Sequence, residues 1–540
     1  MVNGSLENSI VTVGVGGTLG GSGKVGALTV NGTLSPGNSP GTLTVAGNLT
    51  LGAGSTYVAE VQGAVADRVN VGGTASLAGT LRLVPLGGAY SFNSPYTLLS
   101  AAGGRSGTFG TVDTTGSFGA GVATSLSYTA NDVLLTLTAG SLAPIVGPSS
   151  LGVTAPANAL AVASGIDRAV ASGADASPLF ALYNQPAAAI PGAVNQLSGE
   201  VHTATGAIGN AVAGSFLGTM LDGALPGRLG SAAPAPGTAA FSSRLSKGHD
   251  LSAKHSLLDQ PRFALWGATF GAASRTEGDA VVGSARRSLD DAHLAVGADL
   301  RLLPDTVVGA AASIGKARAS LAGGLGKVET DVFQAGLYGM TKIGGLNLSA
   351  AGGYARLDND VSRAVPVLGN SLTSDYASTA WSGRLQASAA VLSWNGLSFS
   401  PLAALQAVRV HNPAFAERGI AGGAAAALGV ASDDQATSRS ELGLQLDTQA
   451  LLGGVPVTGF VRAAWAHYFQ RDAQISAGLA ALPGASFTVT GARPDRDGAL
   501  LAAGVDAKVS ERVSLGARLD SELSANTRRL GGTAQLRVSF

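Results

Sequence analysis

Cysteine is absent from all 540 residues. That excludes a disulfide framework, a thiolate metal site and a cysteine nucleophile. Charge is scarce too: 13% of residues are charged, and 34 basic side chains balance 34 acidic ones. Without a basic excess the chain lacks the surface that displaces counterions from a phosphate backbone, so nucleic acid is not an expected partner. The 45% hydrophobic content argues equally against a disordered polyelectrolyte. No run of roughly 20 apolar residues offers a transmembrane helix. The longest mildly apolar stretch, GAIGNAVAGSFLGTML (206–221), is Ala- and Gly-rich and broken by Asn and Ser. MVNGSLENSI has no basic segment leading into an apolar one, so no secretory signal is read there. For an exported protein this predicts a fragment, a truncated gene product or a mis-assigned start.

Catalytic signatures are missing as well. The six histidines (His202, His249, His255, His293, His411, His467) are scattered, with neither HExxH nor paired ligand spacing. No metal, cofactor or catalytic residue is expected. No G-x-S-x-G elbow occurs. GVGGTLGGSGK (14–24) continues into Val25, where a phosphate loop needs Ser or Thr. Glu7, Glu60, Asp67, Asp113 and Asp132 stand apart from one another, so no carboxylate pair for glycoside hydrolysis stands out. The chain is not expected to be an enzyme.

Glycine is abundant, at 78 residues, and it punctuates three zones. Residues 1–140 consist of short alternating pieces rich in Gly, Thr, Val, Leu and Asn. Val30, Gly32 and Leu34 recur fifteen residues later as Val45, Gly47 and Leu49. A repeated strand, Gly/Asn turn and strand predicts a stacked parallel β-solenoid, whose rungs bury one apolar face on the next. A Gly-rich linker is the plainer alternative. Residues 141–258 are richer in alanine, with helical spacing at 157–173 and again within 195–225. In the second stretch Val201, Ala204, Ile208, Val212 and Phe216 share a face, with Leu217 and Met220 beside it. Ser198 can cap this helix, Pro226-Gly227 end it, and 226–258 reads as an exposed linker.

From about 262 onward the period changes to two. In HLAVGADLRLL (293–303), Leu294, Val296, Ala298, Leu300 and Leu302 oppose His293, Gly297, Asp299 and Arg301. ELGLQLDTQAL (441–451), LLAAGVDAKVS (500–510) and SLGARLDSEL (514–523) alternate likewise. Several of these strands exceed the usual soluble length of about 5–6 residues. Their connections are short, such as PD at 304–305, or long, such as 413–437. A soluble β-sandwich hides one face and solvates the other. Long strands with small and charged residues sharing a face favour a transmembrane barrel instead. About twelve candidate strands can be counted. The chain ends in GGTAQLRVSF, where Leu536, Val538 and Phe540 alternate with Gln535, Arg537 and Ser539.

Several stretches together resemble bacterial autotransporters, the type V secretion proteins. GTLSPGNSPGTLTVAGNLTLGAGS (32–55) resembles their passenger-associated repeat, and NQLSGEVHTATGAIGNAV (195–212) the segment preceding their barrel. ALWGATFGAASRTEGD (264–279) resembles the opening strand, while 415–446 and 491–523 resemble later strands and loops. The resemblance implies a short parallel β-helix followed by a C-terminal antiparallel transmembrane barrel of twelve strands, with a linking helix in its pore. It divides the chain into a β-helical passenger remnant (1–140), a junction (141–258) with a pore helix at about 198–224, and a translocator (259–540). The pore helix is rich in small residues (Gly206, Ala207, Gly209, Ala211, Ala213, Gly214) that suit a narrow lumen. Asn195 and Asn210 are the nearest candidates for the in-barrel cleavage known in one subfamily, but its paired-Asn context is missing.

The resemblance further implies a monomeric barrel in the outer membrane of a Gram-negative bacterium, with the passenger facing outward. Outer-membrane lipid, the barrel-assembly machinery, periplasmic chaperones and a host or neighbouring-cell ligand are the implied partners. Leu536, Val538 and Phe540 stand where the family carries its outer-membrane assembly signal, with Val538 at a position often aromatic.

Overall fold

A computed structural model describes residues 1–88, 90–147, 156–221, 261–394 and 397–540. They form two compact units, one built on Met1–Leu197 and one on Ser198–Phe540, with Pro366–Leu368 and Gly478–Ser486 grouped with the first. The expected linker (226–258) and the last turn of the expected pore helix (222–224) lie outside the described residues.

The first unit is a parallel β-helix with three faces. One face stacks Thr18–Gly21, Thr33–Pro36, Thr56–Gln62, Thr80–Pro85 and Thr111–Thr114. A second stacks Val11–Val13, Leu28–Val30, Leu49–Leu51, Ala75–Leu77 and Arg105–Gly107, and a third begins at Ser5–Leu6. Alternating side chains point inward: Leu34, Tyr57 and Leu81 are in register and fully buried. Each such side chain is worth about 1.5–3 kcal/mol relative to exposure. At one corner Gly32 lies so close to a preceding rung that a Cβ there would stand 2.3 Å from the Gly14 and Gly17 carbonyl oxygens.

Two details differ from the sequence reading. The fifteen-residue recurrence is not the stacking repeat, because Val30 pairs with Leu51 and Leu34 with Tyr57. Stacking aligns faces, and corners of unequal length change the spacing from rung to rung. The helix also ends in antiparallel pairing, as Asp132–Ala139 pairs with both Tyr96–Ala101 and Val122–Tyr128. An end rung has no neighbour on one side, so it differs from its interior copies. A helix at Ala157–Ala171 follows, within the expected 157–173, and its Asp167 carboxylate accepts the Leu142 and Ala143 amides.

The second unit is a closed antiparallel barrel of twelve strands. In chain order they are Phe263–Thr276, Arg287–Leu303, Thr306–Leu321, Gly326–Ile343, Leu346–Val365, Asn370–Ala389, Leu397–Asn412, Asp433–Leu452, Val455–Arg471, Asp497–Lys508, Val513–Leu523 and Thr527–Ser539. Strand twelve pairs with strand one from Ala264↔Ser539 to Thr276↔Thr527, which closes the ring. The period-two faces fall as expected. Leu294, Val296, Leu442, Leu444 and Leu519 are exposed on the outside, whereas His293, Asp299 and Glu441 are buried inside. An apolar exterior over a polar interior is the arrangement that hydrocarbon demands, and closure leaves no unpaired sheet edge.

Connections are brief at the rim carrying the barrel's two termini, such as 304–305, 344–345 and 453–454. Among those at the other rim are two long ones, 413–432 and 472–496. The first of these, read from sequence as a polar segment, is structured. Phe415–Ala416 and Leu428–Val430 join Gln474–Leu479 and Ser486–Thr490 in a small four-stranded sheet.

Candidate functional site

The barrel lumen is occupied by a helix. A 3-10 turn, Glu200–Thr203, leads into an α-helix at Ala204–Leu221. Ser198 Oγ accepts the Glu200 amide at 3.4 Å, and Gly199 makes the left-handed turn (φ 66°) that starts the element. The anticipated apolar face is the buried one. Val201, Ala204, Ile208 and Val212 pack among Val328, Leu357, Val408 and Val410 of strands four, five and seven. Phe216, Leu217 and Met220 pack lower down among Trp266, Phe270, Tyr338 and Met340. The small residues are needed for this approach: a Cβ on Gly209 would stand 2.6 Å from Val410 Cγ2. Each glycine costs the helix about 1 kcal/mol, which tertiary contact must offset. The direction is also defined. Glu200 lies at the long-loop rim beside Ala285, and Met220 lies among the first residues of strand one.

A buried polar cluster fastens the helix start. His202 Nε2 is 2.8 Å from Glu417 Oε1. Arg363 grips the same carboxylate with Nε and Nη2, both at 2.6 Å, and donates from Nη2 to the Ala426 carbonyl. The Leu428 amide donates to Glu417 Oε2. These His202, Glu417 and Arg363 side chains are all 1% exposed. Burial alone pushes the Glu417 carboxyl up, but the hydrogen bonds and charges of Arg363 and His202 prevail and hold it down at about 2. Below them Thr205 donates to Asn412, which also receives the Ser378 hydroxyl. Sequence reasoning missed this cluster and saw His202 as one scattered histidine. The available signal was a lone Glu417-Arg418 pair inside a segment of small residues.

Glu200 is buried, and its Oε1 accepts the Ala285 amide at 2.8 Å. Burial pushes its pKa up to about 8, against smaller opposing effects of the Ala285 amide and the Arg287 charge. The folded protein therefore retains a proton that the unfolded chain gives up near 4.5. The associated stability is complete below 4.5 and is lost as pH rises through 8. Unfolding midpoints of the barrel should fall across that window, and Glu200→Gln should flatten the dependence. An unchanged slope in the variant excludes Glu200 as its source.

At the opposite rim four strands meet. Trp266 Nε1 donates to Tyr338 Oη at 2.7 Å, Tyr338 Oη donates to Asp299, and Arg537 Nη2 lies 2.9 Å from Asp299. Strands one, two, four and twelve are thereby tied across the closure. The predicted terminal residues lie here too. Leu536 and Phe540 are exposed on the outer face and Val538 is half-buried. The Phe540 amide donates to the Phe263 carbonyl at 2.8 Å. His293 is a lumen residue stacked on Phe270, 4.9 Å between centroids. Asn210 lines the lumen cavity, and Asn195 belongs to the first unit.

A family model, the autotransporter β-domain, matches residues 265–520. The barrel is an autotransporter β-domain. Two curated proteins named extracellular serine protease, both from Serratia marcescens, are each 30% identical to the chain. One aligns over 43% of this chain and 22% of its own length, the other over 39% and 20%. The chain thus spans about a fifth of the curated relatives it matches. Among solved structures it is similar to the translocator domain of NalP from Neisseria meningitidis, with 17% identity and a TM-score of 0.42 over 52% of this chain and 90% of that one. It is also similar to the β-domain of the Bordetella autotransporter BrkA, with 19% identity and a TM-score of 0.40 over 52% and 100%. The autotransporter β-domain resides in the outer membrane of a Gram-negative bacterium.

Proposed function

We propose that this autotransporter barrel exports the N-terminal β-helix and anchors it at the cell surface. The observation carrying this reading is the direction of the lumen helix, whose Glu200 end stands at the long-loop rim. Outer-membrane barrels turn tightly on the periplasmic side and carry long loops outside. A chain leaving the lumen at Ser198 then emerges on the exterior. In this reading 1–140 is a passenger remnant, 141–258 the junction and 259–540 the translocator. Folding of successive rungs outside biases movement outward where no nucleotide is available. The test is proteolysis of whole cells carrying the chain behind a supplied signal peptide, read with the heat-shift of the barrel on a gel. Cleavage within 1–140 with a heat-shifting barrel fragment is expected; a protected N-terminal segment and no shift overturn the proposal.

Two readings of the passenger remain distinct. As an adhesin, its stacked flanks bind a host or neighbouring-cell molecule. As an enzyme, it shares the activity named for its Serratia relatives. Residues 1–140 contain neither histidine nor cysteine, so a Ser-His-Asp or Cys-His centre cannot be assembled from them. Binding is therefore favoured for this segment.

The terminal strand serves a second purpose in this proposal. Leu536, Val538 and Phe540 form an outward apolar row read by the barrel-assembly machinery, with periplasmic chaperones escorting a monomeric barrel. Deleting Phe540 removes one residue at the closing seam, yet is expected to reduce inserted, heat-modifiable barrel severalfold. Normal insertion without Phe540 rules out the recognition role.

A further inference from the structure

The lumen helix does not fill the barrel. It packs chiefly on the wall made by strands one to seven, touches strand eight, and reaches strand twelve through Arg529, which donates to Ser215 Oγ at 2.9 Å. Beside the helix runs a cavity of about 210 Å³, lined by helix residues from Gly206 to Leu221, by strands eight to twelve, and at its edges by residues of strands one, two, six and seven. Fifteen helical steps correspond to about 22 Å, so the cavity follows most of the helix.

Its walls carry an uneven charge. Seven arginines and four acidic residues line it, with no lysine, a formal excess of three positive charges. Glu441 lies between Arg384 and Arg439, Glu522 beside Arg439, and Asp520 beside Arg529. Arg462 has no carboxylate within 4.0 Å among the described residues; its Nε and Nη2 both donate to the Gln445 amide oxygen. Arg287 and Arg471 donate to the backbone carbonyls of Ala492 and Pro494, and among the described residues neither has a carboxylate within 4.0 Å. Low-dielectric walls concentrate the field of such groups, and arginine keeps its charge at any working pH. Rings of arginine or lysine are how pores select anions.

We propose that the helix-occupied barrel conducts small inorganic anions, such as chloride, through this side passage in preference to cations. The inference rests on the barrel spanning the membrane with its helix in place. Its test is the full chain in planar lipid bilayers under a potassium chloride gradient, with the reversal potential as readout. A small conductance favouring chloride over potassium severalfold is expected. Arg462→Glu combined with Arg471→Glu turns the lining from an excess of three positive charges to one negative, and should abolish or invert the preference. Heat-modifiability on a gel checks that the variant still folds, and Arg462→Gln alone should weaken the preference without inverting it. Absent conductance, a cation-favouring current, or an unchanged preference in the folded double variant overturns the inference. A large unselective current instead signals an empty lumen and overturns the occupied-pore reading itself.

Discussion

Replacing Glu417 with alanine is expected to destabilise the folded barrel by about 3–5 kcal/mol, because it leaves the buried Arg363 charge without its partner. The effect should be large for three reasons that act together. Arg363 and Glu417 are almost fully buried, their pairing is bidentate, and Glu417 also receives His202 and the Leu428 amide. Removing the carboxylate frees the first turn of the lumen helix at the same time. Urea unfolding in lipid vesicles measures the loss, and bilayer conductance measures the looser helix. The cause can be separated from mere packing. Arg363→Met with Glu417→Leu removes both charges together and should recover most of the stability, since an apolar substitute for a buried pair is often neutral. If the double variant is as unstable as Glu417→Ala, the uncompensated charge is not the cause. Acid should act in the same direction as the single variant. Glu417 is held at about 2 against 4.5 when free, so its contribution is complete above 4.5 and disappears as pH falls toward 2.

Replacing Gly297 with valine is expected to prevent closure of the barrel base. A Cβ at this position would stand 2.3 Å from Trp266 Cε2, and Trp266 cannot swing aside without leaving Tyr338. The Tyr338–Asp299–Arg537 chain then loses its fixed end, at the place where strand twelve meets strand one. The cost combines overpacking of about 1–3 kcal/mol with the disturbed hydrogen bonds. Folded, heat-modifiable protein should fall sharply in Gly297→Val. Adding Trp266→Ala, which empties the contested space, should restore part of it. A Gly297→Val protein that inserts and shifts normally contradicts the clash. Gly309 under Tyr338 and Gly504 under Phe460 repeat the arrangement, with a Cβ placed 2.3 and 2.4 Å from the rings.

What the sequence determined by itself was periodic. Alternation placed Leu294, Val296 and Leu444 outside and His293, Asp299 and Glu441 inside, because a strand's side chains must alternate wherever one face meets an apolar medium. The helical face of Val201, Ile208 and Phe216 was legible on the same ground. The ending Leu536, Arg537, Val538 belonged to the same alternation. Recurring Gly and β-branched residues disclosed the solenoid, but not its rungs. Partners such as Leu34 and Tyr57 are set by how corners stack, and corners of unequal length leave no single period to read.

Tertiary structure alone decided everything that depends on residues distant in the chain. His202 and Glu417 are separated by 215 positions, and Trp266 and Tyr338 by 72. No local pattern links such residues, because each obtains its role from a partner supplied by another strand or loop. The surplus of lumen arginine is of this kind as well. Over the whole chain basic and acidic residues cancel, 34 against 34, and only closure of the barrel gathers seven arginines and four acids around one cavity. Local periodicity chooses the face of an element, and closure chooses which faces meet.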